Sequence, residues 1–327
     1  MAKSDKDEKK SPIHALQELA EVSTISIEEF CSVMFLTPLG DPTSNVNEPT
    51  VIWGIPICLI GLSGLGKTKR TRSICYAIDL TPHYVYAATK SPEDFSGAYV
   101  PDGAGSVNVE CVLPAARRCI DAGGGCIVFD EVSDTPPRTQ SALLSAVDER
   151  QFGDRVLPNK TRIALLMNPP EFATNGHPIG APLSNRMAHR YVPAPPNKSW
   201  GEWLLGITPP TLSMKVGEKL IVERWSQFWP QVVALGAHFA EKNDEDTMHN
   251  QPPPASPQAS GPWPSPRTWY MGLRAITAAR CIIDALPLQL AIKNPRDSDI
   301  AAARKAKLDA LEFDLLASLV GEGSARV

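Results

Sequence analysis

The 327-residue sequence contains no apolar run long enough to cross a bilayer as a helix. Its opening, MAKSDKDEKK, is charged and lacks the apolar centre of a secretory signal. Neither sign of charge dominates. Lysine and arginine number 32 against 36 acids, for a net charge of −4, so composition points to neither nucleic acid nor an anionic membrane. No C-x-x-C pair occurs among the seven cysteines, Cys31, Cys58, Cys75, Cys111, Cys119, Cys126 and Cys281. That argues against zinc and against a disulfide framework. Most of them lie in apolar segments, where cysteine behaves as a small hydrophobe. A reducing, cytoplasmic setting is the expectation. Internal repeats are missing too, and the length suits one large or two ordinary domains.

What is present begins at Gly61. The stretch GLSGLGKTK has the spacing G-x-x-x-x-G-K-T, with Gly61, Gly66, Lys67 and Thr68 at the fixed positions. The apolar, β-branched run from Thr50 to Ile60 precedes it and reads as a buried strand. A segment with apolar Ile74, Ala77 and Ile78 follows and reads as a helix. Strand, glycine loop and helix are the setting in which backbone N–H groups and a helix N-terminus cradle a phosphate. The expected nucleotide contacts are Gly61, Ser63, Gly64, Leu65, Gly66, Lys67, Thr68 and Lys69. Lys67 would reach the β- and γ-phosphates of ATP, and Thr68 would ligate Mg²⁺.

A second apolar strand, GCIVFDE, ends in two acids, where open α/β sheets place their ligands. Asp130 would complete the Mg²⁺ shell, and Glu131 would orient and deprotonate an attacking water. Asn168 ends a further buried strand, Arg162–Met167. An amide there can position that water or simply cap the next turn. Arg186 suits an arginine finger as well as a surface residue. Arg267 falls in the first turn of a helix, where a cation opposes the dipole, so either an anion is near or the side chain is solvated.

Elsewhere, Ser11 and Pro12 mark the start of a helix after a disordered first ten residues, and SIEEFCSVMFL reads as a second helix. His83–Thr89 reads as a strand. The segment from Ser91 reads as irregular until a helix from about Pro114 to Ala122. Pro137 opens a helix carrying Leu143, Leu144 and Val147 on one face, and a hairpin turns near Gly153. HRYVPAP reads as one more strand. Alternating strands and helices predict a parallel sheet with helices on both faces. Beyond Asn197 the pattern turns helical. One helix has Ile221, Trp225, Phe228, Val232 and Leu235 on a stripe and a kink at Pro230. A Pro/Ser-rich linker follows, then a helix capped by Ser265. The last helix has Leu308, Leu311, Leu315 and Leu319 along one face.

Together these motifs resemble the AAA+ ATPases of the MoxR type, including their CbbQ/NorQ-like branch, over roughly Val51 to Ala285. GLSGLGKT is similar to Walker A and GGGCIVFDE to Walker B. TPPRTQSALLSAVDERQ is similar to the family's Pro-Pro-x-x-Gln helix, LLMNPPE to sensor 1 at Asn168, LSNRM to the finger segment at Arg186, and SPRTWYMGLR to the sensor 2 helix at Arg267. Three places depart: Val132-Ser133-Asp134 after Walker B, no acidic stretch before Arg186, and a Pro-rich stretch from Gln251 to Pro264.

The resemblance implies a P-loop AAA+ α/β core with a parallel sheet sandwiched by helices, and a C-terminal helical lid. The expected divisions are an N-terminal segment over 1–48, the nucleotide-binding domain over 49–198, and the lid over 199–327 with an insertion at about 248–264. It implies Mg-ATP hydrolysis in a homo-oligomeric ring, a hexamer, with Arg186 acting in trans. Residues about 91–106 and 151–158 would move a client protein, and a von Willebrand A domain protein is the expected partner. Two rivals stay open: a nucleic-acid motor or nuclease-associated ATPase, and a nucleotide-dependent scaffold that hardly turns over. DNA stimulation of turnover, or its lack in the assembled ring, would separate them.

Overall fold

A computed structural model describes residues 25–43, 51–104, 106–194, 217–253, 256–285 and 297–326. The expected helix from Ser11 and the first ten residues lie outside these. Five strands form one wholly parallel sheet: β1 Ile57–Ile60, β2 Pro82–Tyr86, β5 Gly125–Asp130, β8 Thr161–Met167 and β9 Ala188–Tyr191. Their order is β2-β5-β8-β1-β9. Every residue of β1, β5 and β8 is buried, as continuous apolar runs in a parallel sheet require.

Alternation along these strands divides the interior in two. Ile57, Leu59, Val128 and Leu166 face one core, which also holds the helix Ile27–Leu36 and the C-terminal helices Pro266–Ala285 and Asp297–Val320. Cys58, Ile60, Ile127, Phe129 and Leu165 face the other, beneath the helices Pro114–Asp121 and Pro137–Asp148. The sheet is therefore covered on both faces, with a helical region at the C-terminal end, as expected. All seven cysteines are free and buried. Burial pushes the Cys58, Cys119 and Cys281 thiols up to about 12, which favours the neutral, packed thiol.

Several local readings are corrected, among them the strand expected over His83–Thr89, which ends at Tyr86 and gives way to a 3₁₀ turn over Ala87–Thr89. Regular pairing in the Thr50–Ile60 run is confined to Ile57–Ile60. Pro56 lacks a ladder donor, Gly54 has φ +91°, and Trp53 forms only an isolated antiparallel bridge with Pro38. The irregular stretch after Ser91 holds a short helix, Pro92–Ser96, and a hairpin, β3 Ala98–Pro101 with β4 Val107–Glu110. A second hairpin, β6 Gln151–Phe152 with β7 Arg155–Val156, turns at Gly153 as expected. The two hairpins touch through glycine. A Cβ on Gly97 would lie 2.6 Å from the Gly153 Cα, and one on Gly153 would lie 2.7 Å from the Cys111 nitrogen. Asp154 Oδ1 accepts that same N–H at 2.9 Å.

The helix Glu218–Lys242 continues through Pro230. Ile221, Trp225 and Val232 are buried on its stripe, but Leu235 is 59% exposed. The closest approach runs past Gly236 instead, where a Cβ would lie 2.6 Å from Leu273. The expected Pro-rich linker is packed toward its C-terminal end, although Gln251 and Pro253 are exposed. Pro257–Ser260 form a 3₁₀ turn, Ala259 and Trp263 are buried, and Trp263 stacks on His249. Arg274 ties the helix Pro266–Ala285 to the chain before β1: it donates to the carbonyls of Pro38 and Gly40 and lies 4.7 Å from the rings of Trp229 and Tyr270. Among the described residues no helix is long and apolar enough to cross a membrane.

Candidate nucleotide-binding site

Strand β1 delivers the glycine loop at its carboxyl end, beside β8 and β9, where the strand order reverses direction. Gly61 is fixed by close packing, since a Cβ there would come 3.0 Å from Val192 Cβ. Gly64 and Gly66 are fixed by conformation, at φ +85° and +79°. A Cβ on either would meet no heavy atom within 4 Å, so the space over the loop is open. The helix Lys67–Ala77 starts from Gly66 without a side-chain cap, which leaves its first N–H groups for an anion. Ser63 and Lys69 are exposed, and Leu65 packs its side chain against the core.

Lys67 is 8% exposed. Its Nζ donates to the carbonyls of Gly61 at 2.7 Å and Leu62 at 3.1 Å, and to Asn168 Oδ1 at 2.9 Å. Burial lowers its pKa, and the charges of Glu131 and Asp130 oppose the shift. Thr68 Oγ1 donates to Asp130 Oδ2 at 2.9 Å, and Tyr84 OH holds the Thr68 carbonyl at 2.9 Å. A hydroxyl and a carboxylate side by side are the hard oxygen donors that Mg²⁺ takes, and the open space over the loop suits phosphate; both groups fit the residues present.

Glu131 follows β5 in the left-handed region, at φ +58°. A non-glycine residue there carries backbone strain, which its surroundings must hold. Asn168 Nδ2 donates to Glu131 Oε2 at 3.1 Å, and the Asn168 backbone N–H donates to Ser133 Oγ at 3.3 Å. Burial raises the Glu131 pKa, and the charges of Asp130 and Asp134 raise it further, against Lys67. Lys67, Thr68, Asp130, Glu131 and Asn168 thus form one cluster across the ends of β1, β5 and β8. The amide of Asn168 faces Lys67 and Glu131 at once, which sets aside the turn-capping reading of that side chain.

Arg186 and Arg267 meet in a second cluster around Asp148. Arg186 Nε lies 2.7 Å from Asp148 Oδ2, and Arg267 NH1 lies 2.7 Å from Asp148 Oδ1. Arg190, also in the finger segment, is buried instead and pairs with Asp314 at 3.6 Å.

Several contributing residues carry no motif signal. The departing residues after Glu131 fasten loops: Ser133 Oγ holds Asn168, and Asp134 Oδ1 accepts the Asn175 N–H at 2.6 Å. Gln140 donates to the Thr135 carbonyl and accepts from the Gly180 N–H, which tethers the turn before the helix Ala181–Ser184. Asp148 is an ordinary acid at the end of an amphipathic helix, and only folding brings it to its partners.

Residues 56–187 match the family model of the AAA domain, dynein-related subfamily. That region holds the glycine loop, the two acids Asp130 and Glu131 at the end of β5, Asn168 and Arg186. No curated protein matches the chain. Among solved structures, the chain is similar to a "putative ATPase" from Cytophaga hutchinsonii at 16% identity and a TM-score of 0.44, over 89% of this chain and 84% of that one.

Proposed function

We propose that this protein is a Mg-ATP-hydrolysing ring ATPase of MoxR type that remodels or activates a partner protein complex in the cytoplasm. The observation that carries the reading is the single amide of Asn168. It receives the Lys67 ammonium and donates to Glu131, beside the Thr68–Asp130 pair. A phosphate-binding lysine, a carboxylate of raised pKa and a polar group between them are what water attack on a γ-phosphate requires.

In this reading ATP supplies the phosphoryl group, with Mg²⁺ to neutralise its charge. The loop from Gly61 to Lys69 holds the phosphates, with Lys67 turning from its carbonyl partners toward them. Thr68 and Asp130 hold Mg²⁺. Glu131 takes the proton of a water oriented with Asn168. Arg186 and Arg267 act on the nucleotide of a neighbouring subunit in a hexameric ring. The two hairpins, about 91–106 and 151–158, act on the client, a partner with a von Willebrand A domain.

The test measures ATP binding and turnover for the wild type, Lys67→Ala and Glu131→Gln. Lys67→Ala should bind no ATP, whereas Glu131→Gln should bind it and stop turnover. Wild-type turnover by Glu131→Gln would refute the base assignment. The same Glu131→Gln protein, loaded with Mg-ATP in native extract, should retain a protein partner that Lys67→Ala does not. Retained nucleic acid would favour a motor, and a bound but idle wild-type ring a scaffold.

A further inference from the structure

We propose that Asp148 is a positioning residue that aligns Arg186 and Arg267 as a single two-arginine unit. The inference rests on the nucleotide-hydrolysis reading above. Asp148 closes the helix Pro137–Asp148, and its two carboxylate oxygens take one guanidinium each, both at 2.7 Å. A negative charge at a helix C-terminus is opposed by the dipole, and no basic residue lies in this helix's last turn. The two arginines supply the compensation that the helix itself does not.

A second set of contacts holds the same alignment independently of Asp148. Asn185, next to Arg186, accepts from Ser265 Oγ at 3.0 Å and donates to the Trp263 carbonyl at 3.4 Å. Ser184 Oγ donates to the Gly261 carbonyl at 2.6 Å. Ser184, Asn185 and Ser265 are all buried. The backbone beside each arginine is therefore fixed, and the finger segment is bound to the start of the lid helix.

The Arg186 and Arg267 side chains are 22% and 43% exposed, with Arg186 Nε buried against Asp148 and the outer nitrogens left as the accessible donors. Each has five N–H donors. Arg267 gives one to Asp148, and Arg186 gives one to the Pro182 carbonyl besides its ion pair. The remaining donors can serve an incoming anion. Two guanidinium groups this close repel each other, and the carboxylate between them cancels that repulsion. Asp148 lets both arginines converge before any anion arrives, so little reorganisation remains at the moment of reaction.

The experiment measures steady-state ATP hydrolysis by the assembled full-length protein. Asp148→Asn should lower kcat about tenfold with KM for ATP within about twofold, and Asp148→Glu, which keeps the charge, should recover most of the loss. Arg186→Ala and Arg267→Ala should each lower kcat. Asp148→Asn paired with the Arg186→Ala/Arg267→Ala double variant should fall no more than about twofold below that double variant alone, because Asp148 acts only through those two partners. Full additivity in that pair, or wild-type kcat in Asp148→Asn, overturns the proposal. Wild-type kcat in both single arginine variants overturns it as well, since Asp148 would then have nothing to align. Absence of hydrolysis by the wild type would remove the nucleotide reading and this inference together. An unchanged thermal midpoint in Asp148→Asn separates positioning from loss of fold.

Discussion

The side-chain amide of Asn168 donates to the carboxylate of Glu131 across 3.1 Å. Its oxygen accepts from Lys67 at 2.9 Å. One neutral group thus spaces a cation from an anion that would otherwise close into an ion pair. Asn168→Ala should leave ATP binding within about threefold and lower kcat about 10²-fold. Asn168→Asp should be worse at low pH, because a carboxylate facing Glu131 raises its pKa further and moves the acid limb of the pH–rate profile upward. An unmoved acid limb would show that the two side chains do not interact in solution.

Glu131 bears a raised pKa for reasons of burial and neighbouring acids. For such a group the folded state binds its proton more tightly than the unfolded chain does. Its ionisation therefore weakens the fold as pH rises through the window between the ordinary and the raised value. Glu131→Gln should raise the nucleotide-free melting temperature at neutral pH while stopping turnover. A lower melting temperature in calorimetry would contradict the electrostatic account of this site.

His189 behaves in the opposite sense. It is buried, Nε2 lies 2.9 Å from the Ser184 carbonyl and 3.1 Å from the Ser184 hydroxyl, and burial lowers its pKa to about 4. The unfolded chain gains a proton near pH 6.5 that the fold refuses until about pH 4, so stability falls as pH drops through that window. The full effect is about 3 kcal/mol at the acid end. Denaturant unfolding of His189→Gln should show a flatter slope between these pH values. An unchanged slope would assign the acid sensitivity to other groups.

Arg162 is 1% exposed, and its three nitrogens donate to the carbonyls of Phe35 and Lys160 and to Glu218. It fastens the helix Ile27–Leu36, strand β8 and the start of the helix Glu218–Lys242 at one point. Arg162→Met should cost about 3 kcal/mol or more, because it strands buried acceptors as well as a carboxylate. Chemical denaturation reads this directly. A loss below about 1 kcal/mol would mean water takes over those acceptors.

The sheet and the first cluster were legible because both are written locally. Apolar runs mark β1, β5 and β8, and Lys67, Thr68, Asp130, Glu131 and Asn168 sit at the ends of those runs. Fold geometry then brings strand ends together without further instruction from the sequence. The second cluster was not legible. Asp148 meets Arg267 across 119 residues, and Ser265 meets Asn185 across 80, through single polar side chains that look like ordinary caps and surface acids. The Pro-rich stretch misled for a related reason. Proline suggests exposed chain, but Trp263 and Ala259 give this one a buried face. Leu235 misled in the other direction, because the helical period persisted while the neighbouring helix approached at Gly236.

The contact of Gly97 with Gly153 has a mechanical meaning. Two hairpins separated in sequence by helices and a core strand approach each other at the backbone of these two glycines. The Cys111–Asp154 hydrogen bond pins the same crossing. A methyl group on either glycine would meet backbone atoms and not the end of a flexible side chain, so it would have to push the two hairpins apart.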